Sequence, residues 1–139
     1  MSAGTECNPR RAYQVDPGLI PVFDRSGRAN LGHALETAVL LELERRRAEV
    51  TYVKTAQGFE VDVLARYPSG GQELLQVCAE ASAPSTGERE LRALLEAGDA
   101  LPKARRRLLT LTGDGMPSDV PAGISAQPAY TWLLTPAQL

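Results

Sequence analysis

The chain has 139 residues, enough for one domain and too few for two of ordinary size. Apolar residues make up 43% of it and charged residues 23%, and the net charge is −2. The overall balance therefore gives no pull toward nucleic acid or an anionic membrane, and any such contact has to come from a local patch.

Two cysteines and one histidine do not suffice for a disulfide framework or a structural zinc site. No run approaches ~20 apolar residues, and no basic-then-apolar stretch opens the chain. These features point to a chain without a membrane segment in a reducing, cytoplasmic compartment. Residues 1–29 are punctuated by Pro9, Pro17-Gly18, Pro21 and Ser26-Gly27 and read as an irregular N-terminal segment, leaving 30–139 as the folded domain. Asn30 is a suitable N-cap, and Leu31, Leu35, Ala38, Val39, Leu41 and Leu43 recur at helical spacing. The pattern predicts a helix over 30–48, its terminal arginines suited to the negative helix end.

Residues 50–55 and 59–66 alternate about the turn signal Gln57-Gly58, which predicts a hairpin with Phe59, Val61, Val63 and Ala65 on one face. Residues 73–79 are apolar on both faces, as in a central strand, and contain Cys78, read as a buried free thiol. Ser85 with Glu88 three residues later fits a capping box, opening a helix that carries Leu91, Leu94 and Leu95 on one face and ends near 98–102. Residues 106–112 read as a fourth strand, 113–121 as a loop and 123–127 as a short fifth strand. Residues 128–134 form a C-terminal piece anchored by Tyr130 and Trp132. A hairpin followed by a strand–helix–strand crossover gives an α/β fold, a mixed sheet with helices packed on it.

Three polar residues sit where burial makes them costly. Glu36 lies in the apolar helix, Asp62 in mid-strand and Gln76 in the most hydrophobic strand. Two carboxylates and an amide oxygen converging at a sheet edge would suit Mg²⁺, a hard cation, with the Val77 carbonyl as a further ligand. Strand alternation puts Gln76 and Cys78 on one face.

The order Glu36, Asp62, Gln76-Val77-Cys78 resembles the PD-(D/E)XK nuclease superfamily. More narrowly, the chain resembles the domain of unknown function at the C-terminus of many prokaryotic AAA-type ATPases. The matching pieces are Asn8-Pro9-Arg10-Arg11 with Tyr13 and Asp16-Pro17-Gly18-Leu19, then Asn30-Leu31-Gly32 with Leu35-Glu36 and Val39. They continue with Tyr52-Val53-Lys54-Thr55 followed by Gly58 and Glu60-Val61-Asp62, and end with Pro128-Ala129-Tyr130-Thr131-Trp132-Leu133-Leu134.

The resemblance implies a restriction-endonuclease-like mixed sheet core in α-β-β-β-α-β order. It makes Glu36 the helix glutamate, Asp62 the metal-binding aspartate and Gln76 the second metal-ligand position. Cys78 stands where the family carries a lysine that orients the attacking water and stabilises phosphate charge. A neutral thiol does not replace that ammonium group. The partners implied are nucleic acid and an ATPase domain, and the chain would be an excised domain or a stand-alone relative.

Lys54 is a candidate substitute. With a hairpin loop of odd length, such as 56–58, it pairs with Glu60 and shares a face with Asp62. With Gln57-Gly58 alone as the loop it pairs with Val61 and faces away. Three readings stay open: a nuclease-like accessory or binding domain that has lost cleavage, an active Mg²⁺-dependent nuclease using Glu36, Asp62, Gln76 and Lys54, and a structural or oligomerisation domain. The clusters Arg45-Arg46-Arg47 and Lys103 with Arg105-Arg106-Arg107 read mainly as a solvated helix end and a strand entry, and secondarily as phosphate contacts.

Overall fold

The structure, a computed structural model, describes residues 6–8 and 28–136. The elements run β1 (Glu6–Asn8), α1 (Arg28–Arg45), β2 (Glu49–Lys54), β3 (Glu60–Arg66), β4 (Gln72–Val77), α2 (Pro84–Ala100), β5 (Arg105–Thr110), a 3-10 turn (Gly113–Gly115), β6 (Ile124–Pro128) and α3 (Ala129–Leu134). The strands form one mixed sheet in sequence order, β1-β2-β3-β4-β5-β6. Pairs are antiparallel from β1 to β4 and parallel from β4 to β6. The α/β expectation and its element order hold.

One addition is β1, three residues of the expected irregular segment that pair with β2. Arg28 and Ala29 open α1, and the remaining residues of that segment lie outside the described residues. No helix among the described residues is long and apolar enough to cross a membrane.

The sheet is covered on both faces. On one side α2 lays Leu91, Ala93, Leu94 and Ala97 over Val53, Val61, Leu64, Leu74 and Leu108. On the other, α1 contributes Leu35, Val39 and Leu43, and α3 contributes Ala129 and Trp132, over Val63, Ala65, Leu75 and Leu109. Val61 and Val63 therefore serve opposite cores, against the strict alternation the sequence suggests. The register supplies the cause. Thr51 pairs with Leu64 and Val53 with Val61, so β3 carries one residue more than β2 between these pairs. Such a bulge turns the strand over, and the residues beyond it face the other way.

Several expected boundaries shift. Helix α1 starts at Arg28, so Asn30 lies in its first turn rather than capping it, and Asn30 Nδ2 is buried without a partner. The capping box at Ser85 is absent. Helix α2 begins at Pro84 with Ala83 as N-cap and no side-chain cap bond, since proline supplies a suitable φ at N1 and lacks the N–H a cap would serve. Strand β4 stops at Val77, which leaves Cys78 just beyond it and half-buried rather than buried. Tyr130 is 57% exposed and anchors nothing, whereas Trp132 is 2% exposed.

Helix α1 ends with the Arg47 N–H bonded to the Glu44 carbonyl and the Ala48 N–H to that of Leu43. Arg47 takes the left-handed conformation, φ 59°, that this terminus requires and that glycine usually fills. The three arginines here are not equivalent. Arg45 and Arg47 are exposed, but Arg46 is buried, which corrects the reading of the run as a solvated end. Arg46 donates through Nε to Glu42 (2.7 Å) and through Nη2 to the carbonyls of Trp132 (3.0 Å) and Thr135 (2.9 Å). Its guanidinium lies 4.4 Å from the Trp132 ring centroid. One side chain thus fastens α3 to α1, with a cation–π contact as part of the joint.

Glu42 is shared by Arg45 and Arg46, and hydrogen bonding from Arg45, then from Arg46, outweighs burial and lowers its pKa from 4.5 to about 2. A carboxylate depressed in the folded state adds stability above its unfolded pKa and loses it as pH falls toward the folded value. Between pH 4.5 and 2 the wild type is therefore expected to lose stability that Glu42→Gln never had. The variant should be about 2 kcal/mol weaker at neutral pH and flatter across that acid window in urea titrations. Parallel acid profiles for the two proteins would contradict this.

Gly98 is set by a neighbour. A Cβ there would fall 1.8 Å from Arg106 Nε, because the Arg106 side chain crosses helix α2 at that point to reach Asp99 at 3.7 Å.

Candidate functional site

Beyond the bulge, β3 and β4 part company. Their ladder pairs Val63 with Leu75 and runs the other way to Arg66 and Gln72. Continued by one residue, it would set Asp62 opposite Gln76. Side chains bridge the strands there instead. The Asp62 N–H donates to Gln76 Oε1 (3.0 Å), and the Val77 N–H donates to Asp62 Oδ2 (2.8 Å). Gln76 Nε2 donates to the Glu60 carbonyl (3.2 Å) and to Glu90 Oε2. Backbone groups left by a splayed ladder need partners when buried, and these two side chains provide them.

Glu90 is the residue that sequence reasoning missed. It projects from α2 and is 8% exposed. One oxygen accepts from Gln76, and the other accepts from the exposed Arg89 at 2.9 Å. The signal was available: Gly87, Glu90, Leu91, Leu94 and Ala97 form the buried stripe of α2 at i, i+3, i+4 spacing, and a carboxylate on it must be paired.

Gln76 and Cys78 do share the α2 face, as alternation required. The Cys78 thiol donates to the Glu80 carbonyl (3.2 Å). Burial, then the nearby Glu90 charge, raises its pKa, so the thiol stays protonated and is a poor nucleophile near neutrality.

Glu36 and Lys54 lie elsewhere on the framework. Glu36 is half-buried on α1, a helix whose sheet-facing residues pack on the opposite side from α2. The sheet therefore stands between that helix and the Gln76 amide. The hairpin takes the odd-length form. Thr55 N–H bonds the Phe59 carbonyl, Gly58 adopts φ 86°, and Lys54 pairs with Glu60. Lys54 is exposed and lies on the face away from Val53 and Val61.

The donor set suits Mg²⁺ poorly. The amide oxygen of Gln76 and one oxygen of Asp62 already accept backbone N–H groups, whereas Mg²⁺ asks for near-octahedral oxygen ligands at about 2.1 Å. Among the described residues no cluster of three or more His, Cys, Asp or Glu side chains forms a metal-binding group.

A second polar cluster occupies the opposite end and the opposite face of the sheet. Glu73, at the start of β4, is 5% exposed. Its Oε2 accepts from the Tyr67 hydroxyl (2.7 Å) and its Oε1 from Arg107 Nε. Arg107 Nη1 donates to Gln127 Oε1 (2.8 Å). Burial, then the charge and hydrogen bonding of Glu73, pushes the Tyr67 phenol well above its usual range, so it stays a neutral donor. Arg46, Tyr67, Glu73, Arg105, Arg107 and Trp132 line a cavity of about 130 Å³ here. In the sequence Glu73 reads only as a strand start and Arg107 as part of a strand entry. Neither carries a motif, and only the pairing of β4 with β5 brings them together.

No protein-family model matches the chain, and no curated protein or solved structure matches it either.

Proposed function

We propose that this chain is a nuclease-like accessory domain on a restriction-endonuclease-like core, one that makes contacts for an ATPase, with nucleic acid as its ligand class, and does not cleave. One observation carries the non-cleaving part: Asp62 and Gln76 use polar atoms to hold β3 to β4, and Gln76 Nε2 is further tied to Glu90. A ligand pair must present oxygens to a common ion, and these oxygens accept backbone N–H groups. The protonated thiol of Cys78 supports the same reading, because a phosphodiester site needs a cation where it stands. The element order from α1 to β5 agrees with the core implied by the resemblance.

An active Mg²⁺-dependent nuclease is the second reading. The Lys54–Glu60 register it calls for is present, but the bulge between Val61 and Val63 turns Asp62 to the α2 side, away from the face that carries Lys54.

Cleavage of single-stranded, duplex and branched DNA with Mg²⁺ or Mn²⁺ separates the two. The wild type is expected to cut no faster than Asp62→Ala. Metal-dependent cutting that Asp62→Ala and Lys54→Ala both abolish would establish the second reading in place of the first. Cutting gained only in Cys78→Lys would show a site disabled at that one position.

A further inference from the structure

We propose that the cavity at the Glu73 end of the sheet is a binding site for a small oxyanion, a carboxylate or phosphate group. This stands apart from the reading of the Asp62 end, which lies at the other end of β4. Its basis is a pair of arginines whose hydrogen bonding is incomplete. Arg46 uses Nε and Nη2, and Arg107 uses Nε and Nη1. Among the described residues, Arg46 Nη1 and Arg107 Nη2 have no acceptor. Each such nitrogen carries two N–H groups, and a guanidinium has no other use for them.

Neither nitrogen is sealed in the protein. The buried side-chain nitrogens and oxygens without a partner are Asn30 Nδ2 and Thr51 Oγ1 alone among the described residues. Both arginines line the cavity, and neither spare nitrogen is shut off from solvent.

The surroundings hold these donors in place. Glu73 engages Arg107 on one oxygen and Tyr67 on the other, so its carboxylate serves as a brace for Arg107. Trp132 braces Arg46 from below, and two carbonyls fix its Nη2. Guanidinium groups held this way bind carboxylate or phosphate oxygens with little further ordering. The volume of about 130 Å³ limits the occupant. It falls below the ~300–1,000 Å³ of sites for drug-sized molecules, so a whole nucleotide is too large and a single oxyanion group fits.

Trp132 is the only tryptophan in the chain and lines the cavity, so its emission reports occupancy directly. Sodium phosphate and sodium acetate, each titrated at constant ionic strength against sodium chloride, are expected to change that emission saturably, with half-saturation on the order of 1 mM for the better anion. Phosphate binding more tightly assigns the site to a tetrahedral group, and acetate binding more tightly to a carboxylate.

Arg107→Gln should weaken binding at least ~10-fold. Because that variant also disturbs Glu73, Ser69→Glu provides a second test. Ser69 is exposed, lines the same cavity and takes no part in the Glu73 cluster, so a carboxylate there repels the probe without touching the brace. Emission changes matched by chloride, or unaltered saturation in Ser69→Glu, would overturn the proposal.

Discussion

Glu73→Ala is expected to lower folding stability by about 3–5 kcal/mol, read as a drop in the urea midpoint with the slope unchanged. Glu73 is 5% exposed, and its carboxylate is the shared acceptor of Tyr67 and Arg107. Its removal leaves a guanidinium that is 19% exposed with Gln127 as its remaining hydrogen-bond acceptor among the described residues, and a phenol without its acceptor. Stripping one partner from a buried charge costs far more than the pair is worth, because the survivor keeps its desolvation penalty. Domains of this size are stable by only ~5–15 kcal/mol in total, so the variant stands near its unfolding threshold. Glu73→Gln keeps an acceptor and is expected to lose roughly half as much. A loss under about 1 kcal/mol in Glu73→Ala would mean that the cluster is hydrated and its bonds replaceable by water.

That cluster marks where sequence reading stops. Helix α1 and the strands β2 to β5 were visible because burial on a sheet face leaves a period, and Leu35, Val39 and Leu43 or Leu74 and Leu108 keep it. The bulge at Asp62 leaves no such trace. One extra residue reverses a strand without changing its composition, so Val61 and Val63 look like neighbours on one face while serving different cores.

The functional residues divide the same way. Asp62 and Gln76 stood out as polar groups inside apolar strands, and they do meet. Their third partner, Glu90, was legible only to someone who asked which face of α2 it occupies. Arg46 was hidden by its neighbours. In a run of three arginines, only the helix phase and the later position of Trp132 distinguish the one turned inward.

The role of Gln76 has its own sharp expectation. Gln76→Leu keeps much of the side-chain volume but removes the acceptor of the Asp62 N–H and the donors to Glu60 and Glu90. Leaving the buried Glu90 carboxylate short of a partner is expected to dominate a loss of about 2–4 kcal/mol. The double variant Gln76→Leu/Glu90→Leu then tests the coupling. With both polar groups gone the penalty disappears, so the pair should be at least ~1 kcal/mol more stable than the sum of the single changes predicts.

A metal ligand behaves in the opposite manner. If Gln76 served an ion, Gln76→Leu would leave metal-free stability nearly unchanged and would abolish stabilisation by Mg²⁺, which reaches about 2.7 kcal/mol at a hundredfold excess over the dissociation constant. Denaturation of both proteins with and without Mg²⁺ therefore reads out, from stability alone, whether β3 and β4 are tied together by this amide or merely carry it to an ion. Additive single and double variants, together with a wild type that gains stability from Mg²⁺, would reverse the assignment of Gln76 as the tie between the strands.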